Sequence, residues 1–99
     1  MKKFMYVYFG GMPPMGEAAA KESMKEWTQY FEKIGKSIVD AGAPFGEYEV
    51  VGGGTESGAN GYSIINAKTL ADAVALTDGN PMIAAGGSIE VFELMPMGK

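Results

Sequence analysis

The sequence contains no cysteine, no histidine and no arginine, and its eight basic residues are all lysine. Without cysteine there is no disulfide, no thiolate nucleophile and no thiolate ligand for zinc. Without histidine the side chain that most often moves protons near neutral pH is missing, and so is the commonest metal ligand. Without arginine no guanidinium can hold a phosphate or carboxylate through two parallel hydrogen bonds. These absences leave few catalytic schemes open, and we expect neither a metal nor a cofactor.

Positive charge is also scarce. Eight lysines against twelve acidic residues give a net charge of −4, and the lysines are scattered along the chain. Nucleic-acid binding needs a basic patch that neutralises phosphates, so we do not expect it. No apolar run approaches the roughly 20 residues of a membrane span. The apolar run that ends at Phe9 has no cleavage site of a signal peptide after it. The sequence therefore predicts a cytoplasmic protein.

The chain of 99 residues is 46% hydrophobic, which is typical of one globular domain. We therefore predict a single domain that spans residues 1–99. Residues rich in β-branched and aromatic side chains predict four strands, at 3–9, 47–51, 62–67 and 88–95.

Helices are predicted between these strands. Apolar residues at spacings of three and four predict a long helix from Glu17 to Ala41, and Gly42 supplies a stop. The segment 69–72 resembles a capping box that opens a helix through about residue 77. Asn80 and Pro81 predict a short helical turn through residue 85. The residues between the first strand and the long helix, 12–16, are expected to form a loop.

The order strand, helix, strand, strand, helix, strand predicts an α+β fold. With right-handed crossovers it gives the ferredoxin-like βαββαβ arrangement, a four-stranded antiparallel sheet with helices on one face. Two helices cover one face only, yet the first and last strands are apolar on both. We expect Tyr6, Tyr8 and Phe92 to contribute to an apolar patch of several hundred Å². A second copy of the sheet is the simplest cover and predicts a homodimer; the alternative cover is loops and the tail 95–97.

Several short motifs resemble one known family. They are the runs 61–65 (GYSII), 69–73 (TLADA), the pair Asn80-Pro81, and 86–94 (GGSIEVFEL), of which the last is the most specific. Together with the first strand and the Ala41-Gly42 end of the predicted helix they cover nearly the whole chain. The sequence is thereby similar to the YCII-related (YciI-like, DGPF-related) family. The resemblance implies a ferredoxin-like protomer that forms a dimeric α+β barrel.

The same resemblance implies little about activity. Most members are uncharacterised, and a few look like enzymes that act on small aromatic or lactone-type acids, with a histidine and an aspartate in the cleft. This sequence has no histidine and lacks the Asp-Gly-Pro-Phe motif, and Asn80 stands where many relatives have Asp or Cys. The catalytic residues of the family are therefore not carried over.

Candidate site residues follow from the expected dimer interior. Tyr6, Tyr8 and Tyr62 are candidates to line an aromatic cleft for a planar ligand. Glu90 shares a face with Phe92 and would look into that interior, where burial raises the pKa of a carboxylate; a salt bridge to lysine or exposure at the sheet edge is the alternative.

Other residues favour ordinary structural roles. Trp27 lies in the apolar stripe of the predicted helix and is expected in the core. Asp40 is either a functional carboxylate or a solvated residue. The triple glycine 52–54 lacks the Gly-Lys-Ser/Thr of a phosphate loop, so a flexible connection is expected there.

Three functions stay open. The leading one is a homodimer that binds a small aromatic or lactone-type ligand in the cleft between its two sheets. The second is an isomerase or lyase that uses Tyr and Glu90 for proton transfer. The third is a dimer that interacts with another protein without catalysis. A cavity lined by tyrosine and Glu90 would favour the first two, and a filled interior the third.

Overall fold

The computed structural model of the chain describes residues 1–10 and 16–97. The predicted loop at 12–16 therefore falls outside the described residues except for Gly16, which begins a helix. The elements, in chain order, are β1 (Lys2–Phe9), α1 (Gly16–Ile34), a 3-10 turn (Gly35–Ser37), β2 (Ile38–Pro44), β3 (Ala59–Ala67), α2 (Leu70–Ala75), α3 (Pro81–Ala84) and β4 (Ser88–Glu93). The α+β class is confirmed.

The four strands form one antiparallel sheet in the order β2-β3-β1-β4. Strand β1 is central, and it pairs Tyr6 with Ser63 of β3 and with Val91 of β4. The next pair along β1 places Val7 beside Tyr62 and Glu90, so these three share the other face. The register thus assigns every second residue of the central strands to one face.

The helices cover one face of this sheet and bury its side chains. The core consists of residues no more than 7% exposed, namely Phe4, Tyr6, Tyr8, Tyr30, Ile34, Ile65, Ala67 and Ala73. The Tyr6 hydroxyl donates to the carbonyl oxygen of Ala73 in α2. The Tyr30 hydroxyl donates to the carbonyl of Leu76 over 2.7 Å. Because buried polar groups need partners, these bonds fix α1 and α2 on the sheet.

Two predicted helix starts are confirmed by their caps. The Thr69 hydroxyl accepts from the Asp72 backbone N–H over 3.1 Å at the start of α2. The Asn80 side chain accepts from the Met82 N–H over 2.8 Å, with Pro81 at the first position of α3. None of the helices in the described ranges is long and apolar enough to cross a membrane.

The predicted long helix from Glu17 to Ala41 is wrong at its C-terminal end. Helix α1 ends at Ile34, and Gly35 follows with φ +46°, a left-handed conformation that only glycine adopts at little cost. The β-branched Ile38 and Val39 then begin β2. Apolar residues keep the helical spacing beyond Gly35 although the helix has ended there. The pattern therefore predicted a helix that is too long.

The predicted strand at 47–51 is also wrong. Residues 45–58 form an irregular connection in which Val51 is 92% exposed. The edge strand lies earlier, in β2, whose register with β3 is interrupted twice. Gly42 sits in this irregular stretch with φ +80°, and a Cβ there would lie 1.7 Å from the Tyr62 carbonyl oxygen. It is therefore a bulge residue of β2 and not a helix stop.

None of the helices in residues 1–10 and 16–97 lies on the second face of the sheet. We call this second face the open face. Its apolar side chains are Met5, Val7, Phe9, Tyr62, Ile64 and Phe92. Tyr6 and Tyr8 do not contribute to it, because alternation along β1 turns both towards the helices; their placement with Phe92 in one patch was wrong. Phe92 is 48% exposed, and the molecule is only 19 Å thick in its shortest dimension.

Candidate functional site

Helix α1 packs closely on the sheet only near its C-terminus. Its buried residues are Tyr30 and Ile34, and no residue from Gly16 to Gln29 is buried. Opposite this part of the helix, β2 contributes the small residues Ala41, Gly42 and Ala43. Because neither side supplies enough bulk to fill the space, a gap remains between α1 and the β2–β3 edge.

This gap is a cavity of about 530 Å³, within the size range of small-molecule sites. Its walls come from α1, β2, β3, the end of β1 and Met82 of α3. The lining residues that matter most are Tyr8, Trp27, Thr28, Phe31, Ser63 and Met82. Among the described residues, none of those that line the cavity carries a formal charge. The cavity is therefore suited to an uncharged organic molecule.

Aromatic rings form one side of the cavity. The rings of Trp27 and Phe31, one turn apart on α1, have centroids 5.6 Å apart. Trp27 also meets the Tyr8 ring edge-on at 5.3 Å. Trp27 packs against the core, as predicted, and it lines the cavity as well. The rings present a rigid aromatic wall, which recognises planar apolar groups at low cost in conformational entropy.

The floor of the cavity, which we define as the hydroxyls of Tyr8 and Ser63, is polar. The Tyr8 hydroxyl donates to Ser63 Oγ over 2.8 Å. Ser63 Oγ in turn donates to the carbonyl oxygen of Ala41 in β2 over 2.7 Å. The chain of two bonds ties the floor to the edge strand. Both residues are at least 95% buried, so the groups are held in fixed positions.

Burial raises the pKa of the Tyr8 hydroxyl, while the neighbouring polar side chains of Ser63 and Asn80 lower it in part. Tyr8 is accordingly neutral at physiological pH and can donate or accept hydrogen bonds, but it cannot act as a phenolate base. Asn80 is 1% exposed, and its Nδ2 makes no hydrogen bond within the described residues. The amide lies beside Tyr8 and Tyr30 and adds polarity beneath the floor.

The five predicted site residues do not meet in one cleft. Tyr8 lines the cavity, and Tyr6 lies deeper in the core with its hydroxyl bonded to α2. Burial raises the pKa of Tyr6 well above its ordinary value. The remaining three, Tyr62, Glu90 and Phe92, belong to strand positions of the open face. Of these, Tyr62 also borders the cavity.

Of these three, Tyr62 has the most defined surroundings. Its hydroxyl lies 3.3 Å from Asp40 Oδ2, and the nearby carboxylate raises the pKa of Tyr62. Its ring stacks on Phe45 at 6.0 Å. Glu90 is exposed and has no lysine within ion-pair distance in the described part of the chain.

Sequence reasoning missed Ser63, Thr28, Phe31 and Met82 as site residues. Ser63 lies in a strand with apolar neighbours on both sides, and alternation places it on the helix-covered face. A hydroxyl on a buried face needs a hydrogen-bond partner. The position of Ser63 in the strand was therefore the sequence signal for a buried polar group. Phe31 lies in the same apolar stripe as Trp27, and such a stripe does not distinguish core from cavity wall.

The described residues contain no group of three or more acidic side chains placed to hold a metal ion. Comparison of the chain with protein-family models, with curated proteins and with solved structures found no match. The chemistry of the cavity is therefore argued from its own residues.

Proposed function

We propose that the protein is a YCII-like homodimer that binds a small aromatic or lactone-type organic molecule. The observation that carries the ligand-binding part is the cavity between α1 and β2–β3. It combines about 530 Å³ of space, an aromatic wall at Trp27 and Phe31, and the buried hydroxyls of Tyr8 and Ser63. Apolar walls with a few fixed polar groups are typical of small-molecule sites.

The strand order supports the ferredoxin-like part of the proposal. A sheet ordered β2-β3-β1-β4, fully antiparallel and with its helices on one face, is the arrangement that the sequence order βαββαβ predicts. Placing the chain in the YCII-related family is consistent with that order and with the motif at 86–94.

The exposed surface supports a dimer through the open face. The chain exposes 7103 Å², against about 5,400 Å² for a compact monomer of this mass. The excess of about 1,700 Å² is roughly twice the 800 Å² that one partner contributes to a standard protein–protein interface. The open face and the connection 45–58 both carry exposed apolar side chains. A second copy of the sheet would cover the open face.

The cavity differs in place from the cleft expected between two sheets. It lies inside one protomer, on the helix-covered side, so ligand binding does not require the partner. An isomerase or lyase would need a proton-transferring base beside the ligand. The carboxylate considered for that role, Glu90, lies on the opposite face from Tyr8. The geometry therefore favours binding over turnover.

A thermal-shift screen of small aromatic acids, phenols and lactones tests the proposal. Trp27 is the only tryptophan in the chain and lines the cavity, so each stabilising compound is then titrated against its fluorescence. We expect a rise in melting temperature and a change in emission with the same saturation curve. A flat screen across the three classes would contradict the ligand-binding proposal.

Two matched variants locate the ligand. Phe31→Ala removes part of the aromatic wall, and we expect about a fivefold weaker affinity from the lost ring contact. Phe92→Ala removes a ring from the open face, on the other side of the sheet. If Phe92→Ala weakens binding and Phe31→Ala does not, the ligand lies between the sheets of a dimer and the cavity assignment is wrong.

A further inference from the structure

The chemistry of the bonded partners determines which atom each hydroxyl proton at the cavity floor points to. A carbonyl oxygen only accepts, so the bond between Ser63 Oγ and the Ala41 carbonyl uses the serine proton. Ser63 has no second proton, so the bond from Tyr8 to Ser63 uses the tyrosine proton. Both protons are thus directed at protein atoms. What the floor offers to a ligand is the remaining lone pair on Ser63 Oγ and those on the Tyr8 oxygen.

Other polar groups at the cavity are mixed donors and acceptors. Thr28 Oγ1, on α1, donates to the Met24 carbonyl over 2.9 Å, which leaves its lone pairs. Asn60 Nδ2 donates one of its two protons to the Gly10 carbonyl over 2.8 Å, which leaves its second N–H and its carbonyl oxygen. The hydroxyl of Ser23 and the indole N–H of Trp27 belong to the α1 side. At the floor formed by Tyr8 and Ser63, however, the hydroxyl groups present acceptors.

The lack of charge on these lining side chains further restricts the class of ligand. Since the lining side chains in the part of the chain that the structure describes are all uncharged, a carboxylate would lose its hydration without gaining a cation from them. It would also face the lone pairs of the floor. We infer that the ligand of this cavity is an uncharged aromatic hydrogen-bond donor, such as a phenol or an aniline, whose O–H or N–H binds Ser63 Oγ and Tyr8.

This inference rests on the proposed function and narrows it. An aromatic acid would bring a charge that the cavity cannot neutralise. The carbonyl and ring oxygens of a lactone only accept, so they find no proton at the floor. Of the classes proposed above, neutral aromatic donors are the ones that the bonded hydroxyls select.

Calorimetric titration of five small probes tests the inference on the unmodified protein. Para-cresol and para-toluidine are neutral donors, para-xylene has the same shape without a polar group, para-toluate is an anion, and phthalide is an aromatic lactone. Transfer out of water alone would favour para-xylene. We expect the reverse, with para-cresol binding about tenfold tighter than para-xylene because of its hydrogen bond, and para-toluate weakest.

Ser63→Ala should change the order in which the probes bind, which a loss of packing alone would not do. It removes the acceptor and releases the Tyr8 proton, so the floor gains a donor. We expect the preference for para-cresol over para-xylene to fall below about threefold, while phthalide gains affinity relative to para-cresol. Ser88→Ala, in β4 opposite Phe9 and away from the cavity, is the matched control and should leave the order of the probes unchanged.

The outcomes separate the two proposals. If no probe binds, the ligand-binding function itself is wrong. If the probes bind but para-xylene, phthalide or para-toluate matches para-cresol in the unmodified protein, only the assignment of a neutral donor is overturned. An unchanged order of the probes in a folded Ser63→Ala variant would also overturn it.

Discussion

Both faces of the sheet carry large apolar side chains but end in different surroundings. On the helix-covered face Phe4 and Tyr6 are fully buried, and the Tyr6 hydroxyl donates to the carbonyl oxygen of Ala73 in α2. On the open face Met5 and Val7, their neighbours in β1, are only partly buried. Alternation along a strand therefore assigns side chains to faces, but the covering layer determines which face becomes the core.

Replacement of Phe4 should have the largest effect on stability. Phe4→Ala leaves a cavity in the fully buried core, and we expect a loss of about 3–5 kcal/mol in the free energy of unfolding. Val7→Ala on the open face should cost less than about 1.5 kcal/mol at a dilution at which the chain is monomeric, because in the monomer its side chain keeps contact with water. Denaturant titration of both variants at that dilution measures the difference. Comparable losses at the two sites would mean that the protomer itself buries the open face.

Gly42→Ala should weaken the edge strand that bounds the cavity. The new Cβ would meet the Tyr62 carbonyl, and the backbone at φ +80° is unfavourable for alanine. We expect a loss of about 2 kcal/mol or more, together with faster amide exchange in β2. Gly46→Ala, where nothing lies within 4 Å, is the control. Equal stability of the two variants would show that β2 tolerates a side chain at its bulge.

The tyrosines of the covered face should make the fold sensitive to alkali. Burial raises the pKa of Tyr6, Tyr8 and Tyr30 above the ordinary value of 10.0, so the unfolded chain releases these protons first as pH rises. Their contribution to stability is complete below about pH 10 and is lost above it. We expect the free energy of unfolding to fall steeply from pH 10 upward.

Tyr30→Phe sharpens this test. It removes the bond to the Leu76 carbonyl, which should cost about 1 kcal/mol at neutral pH. It also removes one titrating group, so stability should fall less steeply above pH 10 than in the unmodified protein. The measurement is denaturant unfolding at a series of alkaline pH values. Parallel pH profiles would contradict a buried, neutral Tyr30.

The parts of the fold that the sequence predicted are those with strong local signals. Strand β1 was bounded to within one residue because its β-branched and aromatic run is closed by Gly10. The starts of α2 and α3 were correct because their capping side chains act within three residues. The boundary between α1 and β2 was missed because the choice of a left-handed conformation at Gly35 is not visible in an apolar stripe.

The candidate site was less predictable. Tyr8 was named from its aromatic ring and polar tip, and it does line the cavity. Tyr62 borders the cavity as well. Glu90 and Phe92 were named for a cleft between two sheets, which depended on contacts between two copies of the chain. The cavity arises instead where α1 diverges from a strand of small residues, and the direction of a helix axis is a tertiary property that periodicity does not contain.

Phe92→Glu should have the smallest effect on the protomer and yet the clearest effect on association. Phe92 is 48% exposed on the open face, so a carboxylate there remains hydrated in a monomer and should change protomer stability by less than about 0.5 kcal/mol. In a dimer joined through this face the same carboxylate would be buried without a cation. We therefore expect sedimentation at micromolar concentration to show a dimer for the unmodified chain and a folded monomer for the variant. Val50→Glu, at a site 43% exposed in the connection 45–58, should leave the dimer intact; a dimer that survives Phe92→Glu would place the interface elsewhere.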